Sequence, residues 1–153
     1  MAIRIVTITM LMMIATTVAC TKISGTAAAT GPALGDWSAP IDTCSTADRE
    51  RLVGAYLRST KNPNIAVKIV KDAFRGVYLA VSIPSTCQPD GSCQAAVVTR
   101  EMCSKFQADV FFTSVVSSDD YRAADGHLFA ECIVPLGAHK SAFTASVRFV
   151  NCQ

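Results

Sequence analysis

The seven cysteines of this 153-residue chain divide into one and six, and that division limits the folds open to it. Cys20 ends an uncharged run that starts at Ile5, whereas the other six cysteines all lie beyond residue 40. Six cysteines within about 110 residues are typical of a disulfide framework when the protein is exported to an oxidising compartment. Whether the six later cysteines are interpreted as disulfides therefore depends on whether the first twenty residues are an export signal.

Residues 1–19 have the organisation of an export signal. Arg4 and the α-amino group give a positive start, and residues 5–19 carry no charge. A membrane-spanning helix needs roughly 20 apolar residues, whereas this run is shorter and includes four threonines. A short apolar run between a positive start and small residues indicates a signal peptide rather than a transmembrane anchor.

The end of this run, Thr17-Val18-Ala19-Cys20, resembles the lipobox of bacterial lipoproteins, with Thr17 where that family usually has leucine. The resemblance implies cleavage before Cys20 and diacylglycerol on its sulfur, with further acyl chains such as palmitate. Each buried methylene contributes about 0.8 kcal/mol, and two or more chains make such an anchor stable. In enteric members an aspartate after the cysteine retains the protein in the inner membrane. Thr21 therefore favours an outer-membrane lipoprotein facing the periplasm.

Two other interpretations of the amino terminus stay open. Ala27-Ala28-Ala29 supplies the small-residue pattern of ordinary signal cleavage, which would give a secreted or soluble periplasmic protein. Alternatively, Cys20 is an unprocessed residue of a cytosolic protein.

The six later cysteines are predicted to form structural disulfides, although six allow fifteen pairings. One pair would bracket a Pro-Asp-Gly turn, one would join the two ends of the domain, and the third is the remainder. The predicted pairs are Cys87–Cys93, Cys44–Cys152 and Cys103–Cys132. The cysteines do not have the paired short spacings of a structural zinc site, and no Cys-x-x-Cys motif is present. No metal or cofactor is therefore expected.

The sequence predicts three regions: a signal peptide over 1–19, a lipidated flexible tether over 20–40, and a single domain over 41–153. The tether prediction rests on a composition of Thr, Ala, Gly, Ser and Pro with few charges. Trp37 lies within it, and either packs on the domain or contacts a partner.

The predicted fold class is α+β, an antiparallel sheet of about five to six strands with two helices, stapled by disulfides. One helix is expected from Ser45 to the residues before Pro63, and a shorter one from Thr99 to Phe106. Alternating apolar residues predict the strands, with the fourth central and covered on both faces. They are 65–70, 77–83, 95–98, 110–116, 128–134 and 143–152.

Charge and motifs favour protein binding over other functions. After Cys20 there are thirteen Lys and Arg against twelve Asp and Glu, without clusters, which argues against nucleic acid as a partner. His127 and His139 are expected to be exposed loop residues, and no catalytic motif is present. The densest polar cluster is a candidate binding loop for an envelope protein partner. Its residues are Asp119, Asp120, Tyr121 and Arg122.

The preferred hypothesis is an anchored inhibitor or immunity protein against a lytic or toxic protein, by analogy of architecture. The alternatives are a structural accessory of an outer-membrane or secretion assembly, and a hydrolase whose site is not recognisable.

Overall fold

The computed structural model describes residues 21–46, 53–115 and 122–153. These residues form ten strands and two short 3₁₀ turns, at Pro84–Thr86 and Arg100–Met102. They contain no α-helix, so the α+β prediction is wrong and the described fold is all β. The strands are β1 (Lys22–Thr30), β2 (Trp37–Pro40), β3 (Thr43–Thr46), β4 (Val53–Arg58), β5 (Ala66–Asp72), β6 (Gly76–Ser82), β7 (Ala95–Val98), β8 (Cys103–Val115), β9 (Arg122–Leu136) and β10 (His139–Cys152).

The strands are divided between two antiparallel sheets of five. Sheet A has the order β2-β1-β10-β9-β8, and sheet B has the order β3-β4-β5-β6-β7. Apart from the β1–β10 pair, strands that are neighbours in a sheet follow one another in the chain. The β1–β10 pair joins the two ends of the chain, with Lys22 opposite Val150.

A period of two in the sequence builds the core between the sheets. Along β10 the buried and exposed positions alternate from Ser141 to Val150, and Phe143, Val147 and Phe149 point inward. In sheet B, Leu57, Ile69 and other inward residues belong to the same hydrophobic cluster as the inner face of sheet A. The fold is therefore a sandwich of two sheets around one core.

Both predicted helices are strands for much of their length. The first prediction overlaps the end of β3 and the whole of β4, and its residues 47–52 lie outside the described residues. In β4, Ala55 and Leu57 are buried while Tyr56 is half-exposed. The second covers the 3₁₀ turn at Arg100–Met102 and the start of β8, where Phe106 and Ala108 are buried. In both places buried and exposed residues alternate, as they do in a strand. The opposite sheet covers the buried residues, and this packing favours a strand over a helix.

The predicted tether is part of the sandwich. Residues 22–30 form β1, which lies between β2 and β10 in sheet A, and its Ala27 and Ala29 are buried. Trp37 begins β2 and donates from Nε1 to the carbonyl oxygen of Leu34 at 3.1 Å. Its ring centroid lies 6.3 Å from that of Phe143. The packing role for Trp37 is confirmed, whereas the boundary of the fold lies near residue 21 rather than 41.

The other strand predictions are largely confirmed, with one error of position. The predicted strands near 65–70, 77–83, 95–98, 128–134 and 143–152 correspond to β5, β6, β7, β9 and β10. The predicted strand at 110–116 is the end of β8, which pairs only with β9 and so lies at an edge of sheet A. Phe111 is 60% exposed there, so the strand is not covered on both faces.

The three predicted disulfides are present. Cys44–Cys152, Cys87–Cys93 and Cys103–Cys132 have Cα–Cα distances of 5.5, 4.0 and 3.8 Å. The first joins β3 of sheet B to the end of β10 in sheet A. The second closes a loop between β6 and β7, and the third links the neighbouring strands β8 and β9. The described strands, disulfides and core all lie within residues 21–153.

Candidate functional site

A groove of about 430 Å³ lies on the outer face of sheet B, on the side away from the core. Strands β4 to β7 form its floor, and the loop closed by Cys87–Cys93 forms a wall. One register row crosses the floor from Tyr56 through Lys68 and Ala80 to Val97. The lining residues are Tyr56, Pro63, Asn64, Ala66, Lys68, Val70, Tyr78, Ala80, Ser82, Gly91, Ser92, Cys93, Ala95 and Val97.

The floor of this groove is less polar than an ordinary solvent-facing sheet. Outward positions of an antiparallel sheet that faces water are usually polar. Here five outward positions of β5 to β7 are alanine or valine, namely Ala66, Val70, Ala80, Ala95 and Val97. Two tyrosines, Tyr56 and Tyr78, stand among them. The surface therefore combines a flat apolar floor with aromatic edges, which is typical of ligand sites.

Positive charge is concentrated around Tyr56. The ammonium nitrogen of Lys68 lies 4.7 Å from the centroid of the Tyr56 ring, and the guanidinium carbon of Arg58 lies 5.0 Å from it. Both are cation–π distances. Among the described residues that line the groove, Lys68 is the only charged one.

The wall is held by its own hydrogen bonds as well as by the disulfide. Gly91 N–H donates to the Gln88 carbonyl at 2.9 Å, which closes the predicted turn. Asp90 Oδ1 accepts from Ser92 N at 2.9 Å and from Ser92 Oγ at 2.6 Å. Donation from the Ser92 hydroxyl and amide holds the pKa of Asp90 below its usual range. The Asp90 carboxylate is thus engaged within the loop.

A second candidate surface lies on the outer face of sheet A. His127 Nε2 and Asp109 Oδ2 are 3.2 Å apart, and Arg148 is opposite His127 in the register. Exposed Phe111 and Val150 border these polar residues, and the depression between them measures about 480 Å³. An aromatic residue and an arginine beside apolar surface are typical of protein interfaces.

The predicted candidate loop stands between β8 and β9 in the sequence. Asp119, Asp120 and Tyr121 lie outside the described residues, and Arg122 begins β9 opposite Val115. The 116–121 connection therefore joins the strand ends that carry Phe111 and Asp125. Cys20, the predicted lipidation site, also lies outside the described residues.

The two histidines differ from each other in position. His127 lies within β9 and is partly buried, so its prediction as an exposed loop residue is wrong, whereas His139 is exposed at the start of β10. Within the described ranges, no group of three or more His, Cys, Asp or Glu side chains could hold a metal ion. The same ranges contain no helix long and apolar enough to cross a membrane.

Comparisons with known proteins add no relative. No protein-family model, curated protein or solved structure matches the chain.

The groove on sheet B was missed by sequence reasoning, although a signal was present. Ala66, Ala80 and Ala95 occupy outward positions of strands where polar residues are usual.

Proposed function

We propose that the chain is an exported, lipid-anchored protein whose partner protein contacts the outer face of sheet A. The observation that carries this proposal is the exposure of Phe111 and Val150 beside the Asp109–His127 pair and Arg148. Aromatic residues and arginine supply most of the binding energy in many interfaces, and nearby charges fix the orientation of the partner.

The position of β1 supports Cys20 over Ala29 as the end of the signal. Cleavage after Ala29 would remove eight of the nine residues of β1, from Lys22 to Ala29. It would also remove the buried side chains of Ala27 and Ala29 from the core. Cleavage before Cys20 would leave β1 complete, with a single residue between the lipidated cysteine and the strand.

The short connection limits where the partner can be. Two extended residues span roughly 7 Å, so a lipid on Cys20 would keep the start of β1 close to the membrane surface. Lys22 is opposite Val150, and Phe149 is opposite Gly126 at the start of β9. A lipid on Cys20 would therefore lie at the end of sheet A that carries the second surface. A partner acting at the membrane surface suits this arrangement, either a component of an envelope assembly or a toxin that attacks the membrane.

Site-specific photo-crosslinking in cells tests the proposed interface. A photoreactive residue at Val150 should capture a specific envelope protein, and one at Phe111 should capture the same protein. Val97 is the matched control, since Val97 and Val150 are each 49% exposed but lie on the outer faces of opposite sheets. Equal crosslinking at Val97 and Val150, or none at Val150 and Phe111, would contradict the proposal.

Gene deletion separates the two kinds of partner. Sensitivity to a particular toxin would indicate an inhibitor or immunity protein. Loss of envelope integrity or of secretion would indicate an accessory of an assembly.

A further inference from the structure

The two described sheets have four edge strands, and β8 differs from the other three in length. β2, β3 and β7 have four described residues each, whereas β8 has thirteen. Within the described residues β8 pairs only with β9. A long edge strand presents a row of backbone donors and acceptors with which a further strand can pair, whereas short edge strands limit such pairing. β8 is therefore the edge at which a strand from another chain can be added.

Backbone contacts show which residues of β8 face the open edge. The pairing of β8 with β9 is regular over residues 105–112. The Asp109 carbonyl oxygen points towards β9, since a Cβ added at Gly126 of β9 would meet it. The Val110 carbonyl oxygen instead accepts from the Lys71 ammonium of sheet B at 3.0 Å. In an antiparallel strand the N–H and C=O of one residue point to the same side, and successive residues alternate. The even-numbered residues therefore direct their backbone groups to the edge. They are Phe106, Ala108 and Val110.

The charges on the outer face of β8 make the strand complementary to a second copy of itself. Lys105 and Asp109 are exposed on that face, and exposed Gln107 lies midway between them. When two copies of β8 run antiparallel with Gln107 opposite Gln107, each Lys105 lies opposite the Asp109 of the other copy. Opposite charges directly across two strands stabilise a sheet, and like charges destabilise it. The pairing would contain this favourable contact twice.

Other positions of the two-fold axis lack this complementarity. An axis at Lys105 or at Asp109 would place like charges opposite each other, and an axis at Phe106 or Ala108 would place each charge opposite an uncharged residue. The axis at Gln107 also sets Phe106 opposite Ala108, a large residue beside a small one. The edge-facing backbone groups of these two residues would then bond to each other. Charge and backbone direction thus select one register.

We propose that β8 pairs antiparallel with β8 of a second copy of this chain about a two-fold axis at Gln107. The two five-stranded sheets A would become one sheet of ten strands. Such a contact is isologous, so it closes after two copies and does not continue into a fibre. The pairing lies at the edge, in the plane of the sheet, and depends neither on the lipid at Cys20 nor on the protein proposed to contact the outer face.

Sedimentation equilibrium of oxidised residues 21–153, which contain the whole described fold, measures the association. A reversible monomer–dimer equilibrium is expected, because one pair of edge strands is a small interface. Lys105→Glu should weaken the dimer about tenfold, since it places two carboxylates opposite each other at both ends of the axis. Adding Asp109→Lys to this variant restores opposite charges and should recover most of the affinity. Lys140→Glu is the matched control, an equal change of charge at an exposed lysine of β10.

The double variant distinguishes pairing between copies from effects within one copy. Lys105 lies 3.0 Å from Glu131, and Asp109 lies 3.2 Å from His127, so each substitution also removes a contact within the chain. Residues 105 and 109 of one copy are four residues apart along the strand, roughly 13 Å, and do not touch. Recovery of the dimer in the double variant therefore requires the two positions to face each other across the axis.

Cysteine crosslinking tests the register. Gln107→Cys would place two thiols opposite each other on the axis, in a pair without backbone hydrogen bonds, where the Cα atoms are about 4.5 Å apart. This separation lies within the range of roughly 4.4–6.8 Å that a disulfide spans, so mild oxidation should give a linked dimer. Phe111→Cys is the control, exposed on the same face of the same strand. In this register the two copies of residue 111 would be about 27 Å apart and should not be linked.

Several results would overturn the proposal. They are a monomer at every concentration up to about 1 mM, a dimer that Lys105→Glu weakens no more than Lys140→Glu does, and no recovery in the double variant. Equally efficient linkage through Gln107→Cys and Phe111→Cys would contradict the register. A monomer whose Gln107→Cys thiol is linked in cells to a different protein would assign the edge to that protein instead of a second copy.

Discussion

Thr21 and Asn151 are 130 residues apart in the chain, and the Thr21 hydroxyl donates to the Asn151 carbonyl oxygen at 2.8 Å. This hydrogen bond lies where β1 begins and β10 ends. The chain is therefore part of the fold from its first described residue. A protein anchored through Cys20 would have almost no reach from the membrane, unlike one carried on a twenty-residue flexible tether.

Adjacent alanines in β1 test whether residues 21–40 are structural. Ala27→Asp should strongly destabilise the protein, because Ala27 is 1% exposed and an unpaired charge would be buried in the core. Ala28→Asp, on the opposite face of the same strand, should have a much smaller effect. Urea unfolding of residues 21–153 measures both. A flexible tether would tolerate the two substitutions equally, so equal stabilities would contradict the position of β1.

The disulfides should differ in their contribution according to the loops they close. Cys44–Cys152 spans 108 residues of sequence separation and Cys87–Cys93 spans 6. Chain entropy predicts a loss of about 5 kcal/mol when the first is replaced by two alanines, and about 2 kcal/mol for the second. Urea unfolding of the two double variants measures the order. A larger loss for the Cys87–Cys93 variant would show that loop length does not govern their stabilising effects.

Strands with large alternating residues could be predicted from the sequence, and strands with small ones could not. In β5 and β10, residues such as Ile69, Phe143 and Phe149 mark the inner face, and both strands were predicted. In β1 the fully buried inner positions are Ala27 and Ala29, and only Ile23 at the start of the strand is a large inward residue, so the strand carries little apolar signal. Small residues suffice there because the neighbouring β10 supplies the bulk of Phe143 and Phe149. The residues that stabilise β1 as a strand are thus more than a hundred positions away in the sequence.

The candidate surfaces were only partly predictable for a related reason. The sequence drew attention to residues 119–122, a dense polar cluster, and the structure shows that the strands leading to it carry Phe111 and Asp125. The groove on sheet B depends on Tyr56, Lys68 and Ala80 lying in one register row. The sequence predicts a helix at Tyr56, so that row could not be assembled from the sequence. Register between distant strands is set by the whole inner face.

Gly126 lies in β9 where the backbone of β8 and the Phe149 ring come so close that a side chain would not fit. A Cβ at this position would meet the Asp109 carbonyl oxygen and the Phe149 ring. Gly126→Ala should therefore lower the free energy of unfolding by about 2–3 kcal/mol through overpacking. Gly76→Ala is the control, since a Cβ there meets nothing within 4 Å and only the positive φ of 75° is unfavourable. Its expected cost is about 1 kcal/mol. Equal losses in thermal unfolding would contradict the steric explanation.

The Asp42 carboxylate should titrate below its ordinary value because of Thr60. The Thr60 hydroxyl donates to Oδ2 of Asp42, and its backbone N–H donates to Oδ1 at 2.8 Å. These bonds favour the charged form and hold the pKa of Asp42 below 3.8. Carbon-detected NMR titration should give a higher pKa for Asp42 in Thr60→Val, which keeps the amide and loses the hydroxyl. Thr60→Ser keeps both donors and should leave the pKa low.

The same contact fixes the sign of the pH dependence of stability. Because the pKa of Asp42 is lower in the folded protein than in the unfolded chain, the stabilisation from Thr60 is present above about pH 3.8. It is lost as the pH falls through the folded pKa and the carboxylate becomes protonated. Thr60→Val should thus unfold at lower urea concentration than Thr60→Ser at pH 7, and the two midpoints should converge towards pH 2. A constant difference across this range would mean that the valine acts through packing rather than through the Asp42 carboxylate.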